Sequence, residues 1–561
     1  MALRHSAAHL LAHAVSELYP DTILTIGPAT QEGFFYDCLP IRNFKEEDLP
    51  LIEARMKEIA HRDLPLTHEP MNKDEARKLY KNNPFKLELI DGIPGDTVGI
   101  ARQGDFYDLC KGGHVDATSM LKNVKLTQIS GSYWRADRSK QVLQRISGIV
   151  FFTPQDLVDY EKLKEEVAKY DHRRLGKQLD LFSFHDEGVG FPFFHPKGKI
   201  MFDLLVNLTR KKQQKLNYQE ISTPLLLSDK LWKQSGHYNF YKDNMYFCKV
   251  DNQNYALRPM NCPGAFLFYN ERPRSYRELP LKLAEYGLVF RHELSGVLHG
   301  LLRARSFTQN DAHLVCTTQQ MESVILETIS LIMEVLNLFN FQEIKIGLAT
   351  KPEKALGSDD LWNKAISALT AALRKTGRAY EVWEGDGAFY GPKIDFNIKD
   401  SMGREWTCST IQVDFFMPEN FELTYIASSG KKERPVVIHR AITGSIERFM
   451  AILLEHYKGH LPFWLAPVQI TILTITDAQK QYAQSVLEQL KAHYLRVEMD
   501  ESSDQISGKI KRAQEEKIPW MIVIGQKEVD NQTVTLRYND GKQEFGLNLA
   551  MLVNKAQEHL V

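Results

Sequence analysis

Cysteine is scarce: Cys38, Cys110, Cys248, Cys262, Cys316 and Cys408 are the 6 thiols in 561 residues. So thin a scatter excludes a disulfide framework and suits a reducing compartment, where free thiols can serve as metal ligands. Net charge is nearly absent too, with 70 Lys+Arg against 71 Asp+Glu. Composition therefore does not announce a polyanion binder. Any contact with nucleic acid must use local patches such as Arg210-Lys211-Lys212 or Lys431-Lys432 with Arg434, and taken alone such short runs are ordinary solvated surface. No apolar run reaches bilayer length, and no charged-then-apolar leader opens the sequence. The expectation is a cytoplasmic protein with no membrane partner. Internal repeats and low-complexity segments are missing as well. What remains is ordinary globular composition, 43% hydrophobic and 25% charged, in a chain too long for one core. Roughly three or four domains are expected.

Four regions can be read. Residues 1–153 mix short strands with helices and hold a dense set of His, Cys and Tyr. Across 154–177, Leu157, Tyr160, Leu163, Val167 and Tyr170 recur at steps of three and four, which predicts an amphipathic connecting helix. Residues 178–465 form the largest block, with a long helix (198–216) and strand-like runs at 218–223, 288–293 and 394–398 that turns separate; long antiparallel strands are expected. Pro462 to Pro467 reads as a rigid joint. In 466–561, strands at 468–475, 495–499 and 519–524 alternate with helices at 478–493 and 505–516, which predicts a small α/β domain with a largely parallel sheet.

The stretch Phe290-Arg291-His292-Glu293 leads through a loop to Arg303, Phe307, Gln309, Asp311 and His313. An arginine at a strand end can fork onto a phosphate. A carboxylate two residues on points the same way and can accept from an adenine amino group. Phe307 can stack on a purine. An isolated Arg-x-Glu is better read as a surface ion pair, but Gly444-Ser445-Ile446-Glu447-Arg448 opens a helix with another arginine, and the long helix runs into a strand that stops at Pro224.

In order, these three segments resemble the three motifs of class II aminoacyl-tRNA synthetases. The resemblance implies a six- or seven-stranded antiparallel sheet with flanking helices, and a homodimer built on the first motif. It implies that Arg291 holds the α-phosphate of ATP, that Glu293 and Phe307 hold the adenine, and that Arg303 and Arg448 hold the outer phosphates. Gln412 would lie nearby and Mg²⁺ would bridge the phosphates. Cys262, His313 and His439 lie in motif-bearing segments that such a fold would bring together. Two imidazoles and a thiolate leave a fourth position open, the form of a functional zinc site. Threonine and valine are nearly isosteric, and a metal that takes the substrate's amine and hydroxyl can tell them apart.

These three donors, with the intact segment Gly387 to Lys393, are similar to those of threonyl-tRNA synthetases. The similarity implies one Zn²⁺ per chain and the substrates L-threonine, ATP and tRNA(Thr). It implies that Gln309 and Tyr390 contact the threonyl group, with Asp311 accepting from its hydroxyl. Lys393 would lie at the reacting centre, and His237 would act in transfer to the terminal ribose. At the front, His5 and His9 stand at i and i+4, and Asp108-Leu-Cys110-Lys-Gly-Gly-His114 adds a Cys/His pair at the same spacing. Read by themselves these are a fair four-ligand metal set. With Gly131 to Arg135 they are also similar to the family's editing domain, which would hydrolyse Ser-tRNA(Thr); Tyr36 and Lys86 match other positions lining that cleft.

The last domain resembles the anticodon-binding domain shared by the threonine, proline, glycine and histidine enzymes, with Glu528 and Arg537 at base-reading positions. From 467 to 561 it carries 11 Lys+Arg against 13 Asp+Glu, so base-edge contacts and stacking would dominate. Three departures stand out. Ser502-Ser503 replace an Arg-Asn pair. Thr407 replaces a glutamine before Cys408. Bacterial relatives usually begin with a further ubiquitin-like domain, whereas His5 stands almost at the start. The competing readings are a catalytically silent RNA-binding translational regulator, marked by a lost arginine or zinc ligand, and a stand-alone deacylase. The nearest enzymatic rivals are the class II enzymes for serine and proline.

Overall fold

The computed structural model describes residues 1–30, 33–137 and 139–561, which divide into Met1–Glu166 and Val167–Val561. In the first unit, helix Ala2–Leu18 is enclosed on nearly all sides, and Ala7, Ala8, Leu10, Leu11, Ala12 and Ala14 are fully buried. Small residues let it lie close to its neighbours, the helix Leu49–His61 and a four-stranded antiparallel sheet. A three-stranded sheet (Leu66–Asn72, Thr97–Gln103, Phe106–Leu109) then delivers the loop that carries Cys110 and His114. Gly112 and Gly113 in that loop have φ of +92° and +85°, a conformation glycine adopts at little cost.

The second unit is built on an eight-stranded sheet. Its inner strands, Leu281–Phe290, Ser306–Cys316, Val436–Ser445, Glu405–Asp414, Lys393–Lys399 and Glu343–Ala349, pair antiparallel. The edge strands Gln219–Glu220 and Glu381–Trp383 pair parallel. They take the sheet past the six or seven strands expected. Alternation sends Ala312, Leu314 and Cys316 into a core with the helices Pro196–Lys215, Met321–Asn337, Asp359–Thr376 and Ile446–His456. It turns Gln309, Asp311 and His313 to the opposite face.

Two expectations shift. The strand through 288–293 ends at Phe290, so Arg291 and Glu293 lie just beyond it, although Arg291 N still donates to Arg305 O at 2.9 Å. The C-terminal sheet is mixed rather than largely parallel. Val497–Asp500, Ile470–Thr474 and Trp520–Ile524 are parallel, whereas Val534–Tyr538 and Gln543–Leu547 are antiparallel. The link from Ile524 to Val534 is too short for a parallel crossover. The final strand is short and mostly exposed, Phe545 included, so periodicity did not reveal it.

Beside the motif strands, Arg258 and Glu285 form a buried pair at 2.7 Å, each side chain 3% exposed. Arg258 also donates to Thr223 Oγ1 at 2.6 Å and to Leu288 O at 2.8 Å. Removing one partner strands the other charge. Arg258→Met is expected to destabilise the second unit by about 3–5 kcal/mol, measurable as a lower urea midpoint for that unit's unfolding.

Candidate functional site

On the polar face of the large sheet lies an open cavity of about 680 Å³. Arg291, Glu293, Arg303, Phe307, Gln309, Lys393, Gln412 and Arg448 all line it. The Arg291 guanidinium lies 5.1 Å from the Phe307 ring centre, within reach of a cation–π contact. Arg303 Nε reaches Glu293 Oε2 at 3.2 Å, and Arg448 Nε donates to Leu302 O at 3.0 Å. Ser445 caps the helix that presents Arg448, accepting from Arg448 N at 3.1 Å. Lys393 Nζ sits 2.5 Å from Asp395 Oδ2 and 3.3 Å from Asp386 Oδ2. Three arginines and a lysine facing one cleft are matched to a polyphosphate.

Cross-strand pairing explains why these residues meet. His313 lies opposite His439, His439 opposite Gln412, and Gln412 opposite Lys393. One transverse row thus carries two imidazoles, an amide and an amine. Cys262, at the start of helix Cys262–Asn270, completes a trio whose donor atoms all lie within 4.8 Å of one another. The trio is buried, with His313 1% exposed. Among the described residues, neither ring nitrogen of His313 has a hydrogen-bond partner, and the nearest carboxylate, Asp311, is 4.0 Å away. Burial, then His439, holds the His313 imidazole well below its ordinary range, so it is a neutral donor. His439 Nε2 is 2.9 Å from Asp414 Oδ2, the carboxylate–histidine arrangement that orients metal ligands. An orphaned buried imidazole beside a thiol and a carboxylate-oriented imidazole fits a zinc ion with an open position.

Asp311 is reached by Asn261 Nδ2 at 3.2 Å, and the same nitrogen approaches Gln309 Oε1 at 3.5 Å. Burial pushes the Asp311 carboxyl up to about 6. Gly287 makes room for this amide, since a Cβ there would lie 2.1 Å from Asn261 Oδ1. The Tyr390 hydroxyl donates to Gln412 Oε1, and its ring is 5.4 Å from that of His439. His237 is placed differently from the rest. It is fully buried, held by Ser235 Oγ at 2.8 Å and the Met260 sulfur at 2.9 Å, and it is not among the residues lining the cavity. Burial, followed by His439 and Arg291, lowers it to about 3.

In the first unit, His5, His9, Cys110 and His114 also bring their donors within 4.8 Å of one another. Cys110 Sγ lies 3.0 Å from His114 Nε2 and 3.5 Å from His5 Nε2, and His9 Nδ1 is 3.0 Å from Asp108 Oδ2. Asp108 also accepts from Tyr36 at 2.6 Å and pairs with the buried Lys86. Burial works against both charged forms here. Yet hydrogen bonds from His114, His5 and His9 bring the Cys110 thiol down to about 3, and Asp108 with Cys110 raises His9 to about 9. All seven expected front-domain residues belong to this one connected cluster.

Comparison with known proteins bears on both clusters. The tRNA synthetase class II core domain (G, H, P, S and T) matches residues 246–457, the anticodon binding domain 468–559, and the threonyl and alanyl tRNA synthetase second additional domain 98–147. Threonine–tRNA ligase of Carboxydothermus hydrogenoformans is 49% identical over 537 residues, covering 95% of this chain and 84% of its own. That of Caldanaerobacter subterraneus is 50% identical over 536 residues, covering 95% and 83%. The chain belongs to the threonine–tRNA ligases. A solved structure, the RNA binding domain of threonyl-tRNA synthetase from Cryptosporidium parvum, superimposes with a TM-score of 0.68 at 40% identity, covering 70% of this chain and 98% of that one.

In this threonine–tRNA ligase family member the anticodon-reading candidates have structural work as well. Glu528 accepts from Gly525 N at 2.9 Å and Thr535 Oγ1 at 2.8 Å, while Arg537 pairs across the ladder with Met521 and Gln543. At Ser502-Ser503, Arg512 reaches back to Ser502 Oγ at 3.1 Å and Asp500 Oδ2 at 2.5 Å. Asn261 and Asp414 escaped sequence reasoning, for neither carries a motif signal beyond its neighbours, and Glu447 was read only as part of its motif, with no role of its own.

Glu447 is 3% exposed, and its Oε2 accepts from Thr308 N at 2.7 Å. Burial pushes its carboxyl up from 4.5 to about 7. The fold therefore binds this proton more tightly than the unfolded chain does. Stability falls as pH rises across that window, by at most about 1.4 kcal/mol per pH unit. Glu447→Gln keeps an acceptor for Thr308 and is expected to flatten this slope, as read from urea midpoints between about pH 5 and pH 7.

Proposed function

We propose that this chain activates L-threonine with ATP, loads it onto tRNA(Thr), and hydrolyses mischarged Ser-tRNA(Thr). The observation that carries the reading is the convergence of Cys262, His313 and His439 at the end of the row that leads to Gln412 and Lys393 in the nucleotide cavity. The three side chains would hold Zn²⁺, which would supply a Lewis acid for an amine and a neighbouring hydroxyl, a pair that valine lacks. Asp311 and Gln309, steadied by Asn261, accept from and orient the same amino alcohol. Mg²⁺ would accompany ATP and would supply charge neutralisation to its phosphates.

The threonine carboxylate attacks the α-phosphorus and pyrophosphate leaves. Arg291 and Lys393 stabilise charge at the reacting phosphate, Arg303 and Arg448 hold the outer phosphates, and Phe307 with Glu293 fixes the adenine. Fixed charges and short approach supply the rate enhancement. A part for His237 in transfer requires the Met260 thioether to move from its Nε2. We assign editing to 1–153, a connector to 154–177, catalysis to 178–465 and anticodon binding to 466–561. His5, His9, Tyr36, Lys86, Asp108, Cys110 and His114 form the editing site, and Glu528 and Arg537 read the anticodon. A homodimer in the cytoplasm completes the reading; Leu226, Phe247 and Leu267, each 41–47% exposed, offer apolar surface for the second copy. A silent regulator gains no support, because no arginine or zinc donor is lost.

Serine differs from threonine by one methyl, worth about 1–3 kcal/mol, and presents the same amine and hydroxyl, so a second hydrolytic site is needed. Pyrophosphate exchange is expected with threonine, more weakly with serine and essentially not with valine, on protein carrying about one zinc per chain; robust exchange with valine would defeat the reading. His9→Ala and Cys110→Ala are expected to let Ser-tRNA accumulate while threonine activation persists, followed with radiolabelled serine. Clearance at the parent's rate would remove the editing assignment.

A further inference from the structure

Away from the groups that face the cavity, one fully buried histidine connects two segments that do. His172, at the start of helix His172–Gln178, has no exposed surface. Its backbone N–H donates to Glu455 Oε1 at 2.9 Å, and its Nδ1 meets the same oxygen at 2.7 Å. A carboxylate can only accept, so Nδ1 carries the proton and Nε2 is left as an acceptor. Leu301 N donates to it at 3.1 Å.

Each end of this relay leads to a phosphate-facing arginine. Leu301 lies in the turn Gly300–Leu302, which His299 and Arg303 close by exchanging backbone hydrogen bonds of 3.1 and 3.3 Å. Arg303 leaves directly from that turn, and the Leu302 carbonyl accepts from Arg448 Nε. Glu455 sits on the helix Ile446–His456 that presents Arg448, and its second oxygen is held by Arg404 Nη2 at 2.5 Å. Gly300 shows how closely the ring abuts the turn: its φ is +51°, and a Cβ there would lie 2.3 Å from His172 Nε2.

We propose that His172 is a positioning residue for ATP. By accepting from Leu301 N–H while donating to Glu455, it locks the Gly300–Leu302 turn onto the helix of Arg448 and so sets the spacing of Arg303 and Arg448 over the outer phosphates. Substrate does not touch it. The inference rests on the adenylation reading above and adds to it a group outside the cavity.

The test is pyrophosphate exchange by the full chain, with ATP and threonine varied separately, on His172→Phe, His172→Gln and Gly300→Ala. His172→Phe is expected to raise KM for ATP about tenfold or more, because small misplacements of catalytic groups are costly, with KM for threonine held within about twofold. His172→Gln, whose terminal carbonyl can accept from Leu301 N–H, should recover most of the loss. Gly300→Ala displaces the same turn from the other side and should reproduce the ATP defect. If His172→Phe fails to fold, the other two variants decide. The proposal is overturned if ATP constants are unchanged in His172→Phe and Gly300→Ala. It is overturned equally if ATP and threonine constants worsen together in proportion to a lowered thermal midpoint. Absence of threonine-dependent exchange in the parent would sink the adenylation reading instead, and calorimetric Mg-ATP affinity of parent and variants then still decides the role of His172.

Discussion

The register between Ser306–Cys316 and Val436–Ser445, which sets His313 against His439, is the constraint from which the active face follows. Side chains alternate along a strand, so a slip of Ser306–Cys316 by one residue would send His313 into the helical core and bring Ala312 or Leu314 to the polar face. Because the neighbouring strands extend the same row to Gln412 and Lys393, the proposed amino-acid end and the proposed nucleotide end of the site share one frame. The buried Arg258–Glu285 pair and the long hydrophobic core beneath the sheet hold that frame against sliding.

Much of this face was legible in the sequence because its chemistry is concentrated in short segments: Arg291 to His313, Gly387 to Lys393, and His439 to Arg448. The His5/His9 pair was legible from helical spacing alone. Harder to see were groups whose role depends on burial. Asp414 and Asn261 look like any polar residues in a strand end or a turn, and only the fold brings them to His439 and Asp311. The C-terminal sheet was misjudged for a related reason. Alternation of strand and helix was read as parallel pairing, but the last two strands are joined by short links, and chain length rather than hydrophobic pattern sets their direction.

Two clusters of cysteine and histidine in one chain invite comparison. In the catalytic unit, burial with Asp311 and Asp414 nearby pushes the Cys262 thiol up, whereas in the front unit the surrounding imidazoles overcome burial and press Cys110 down. The same residue types are therefore set for different work. Cys262 gains its charge only with a cation beside it, while His9 and Asp108 form a pair at 3.0 Å, backed by Lys86, next to Cys110. Such a pair suits polarising a bound ester and water in a pocket lined with fixed hydrogen-bond partners.

The bare backbone at Gly287 has an effect out of proportion to its size. Since the smallest side chain there would evict the Asn261 amide, Asp311 and Gln309 would lose their shared support without either being altered. On the proposed reading, fidelity towards the amino acid would be lodged partly in a residue that offers the substrate no atom of its own, and surveys that look only for polar contacts around a bound amino alcohol would pass it over.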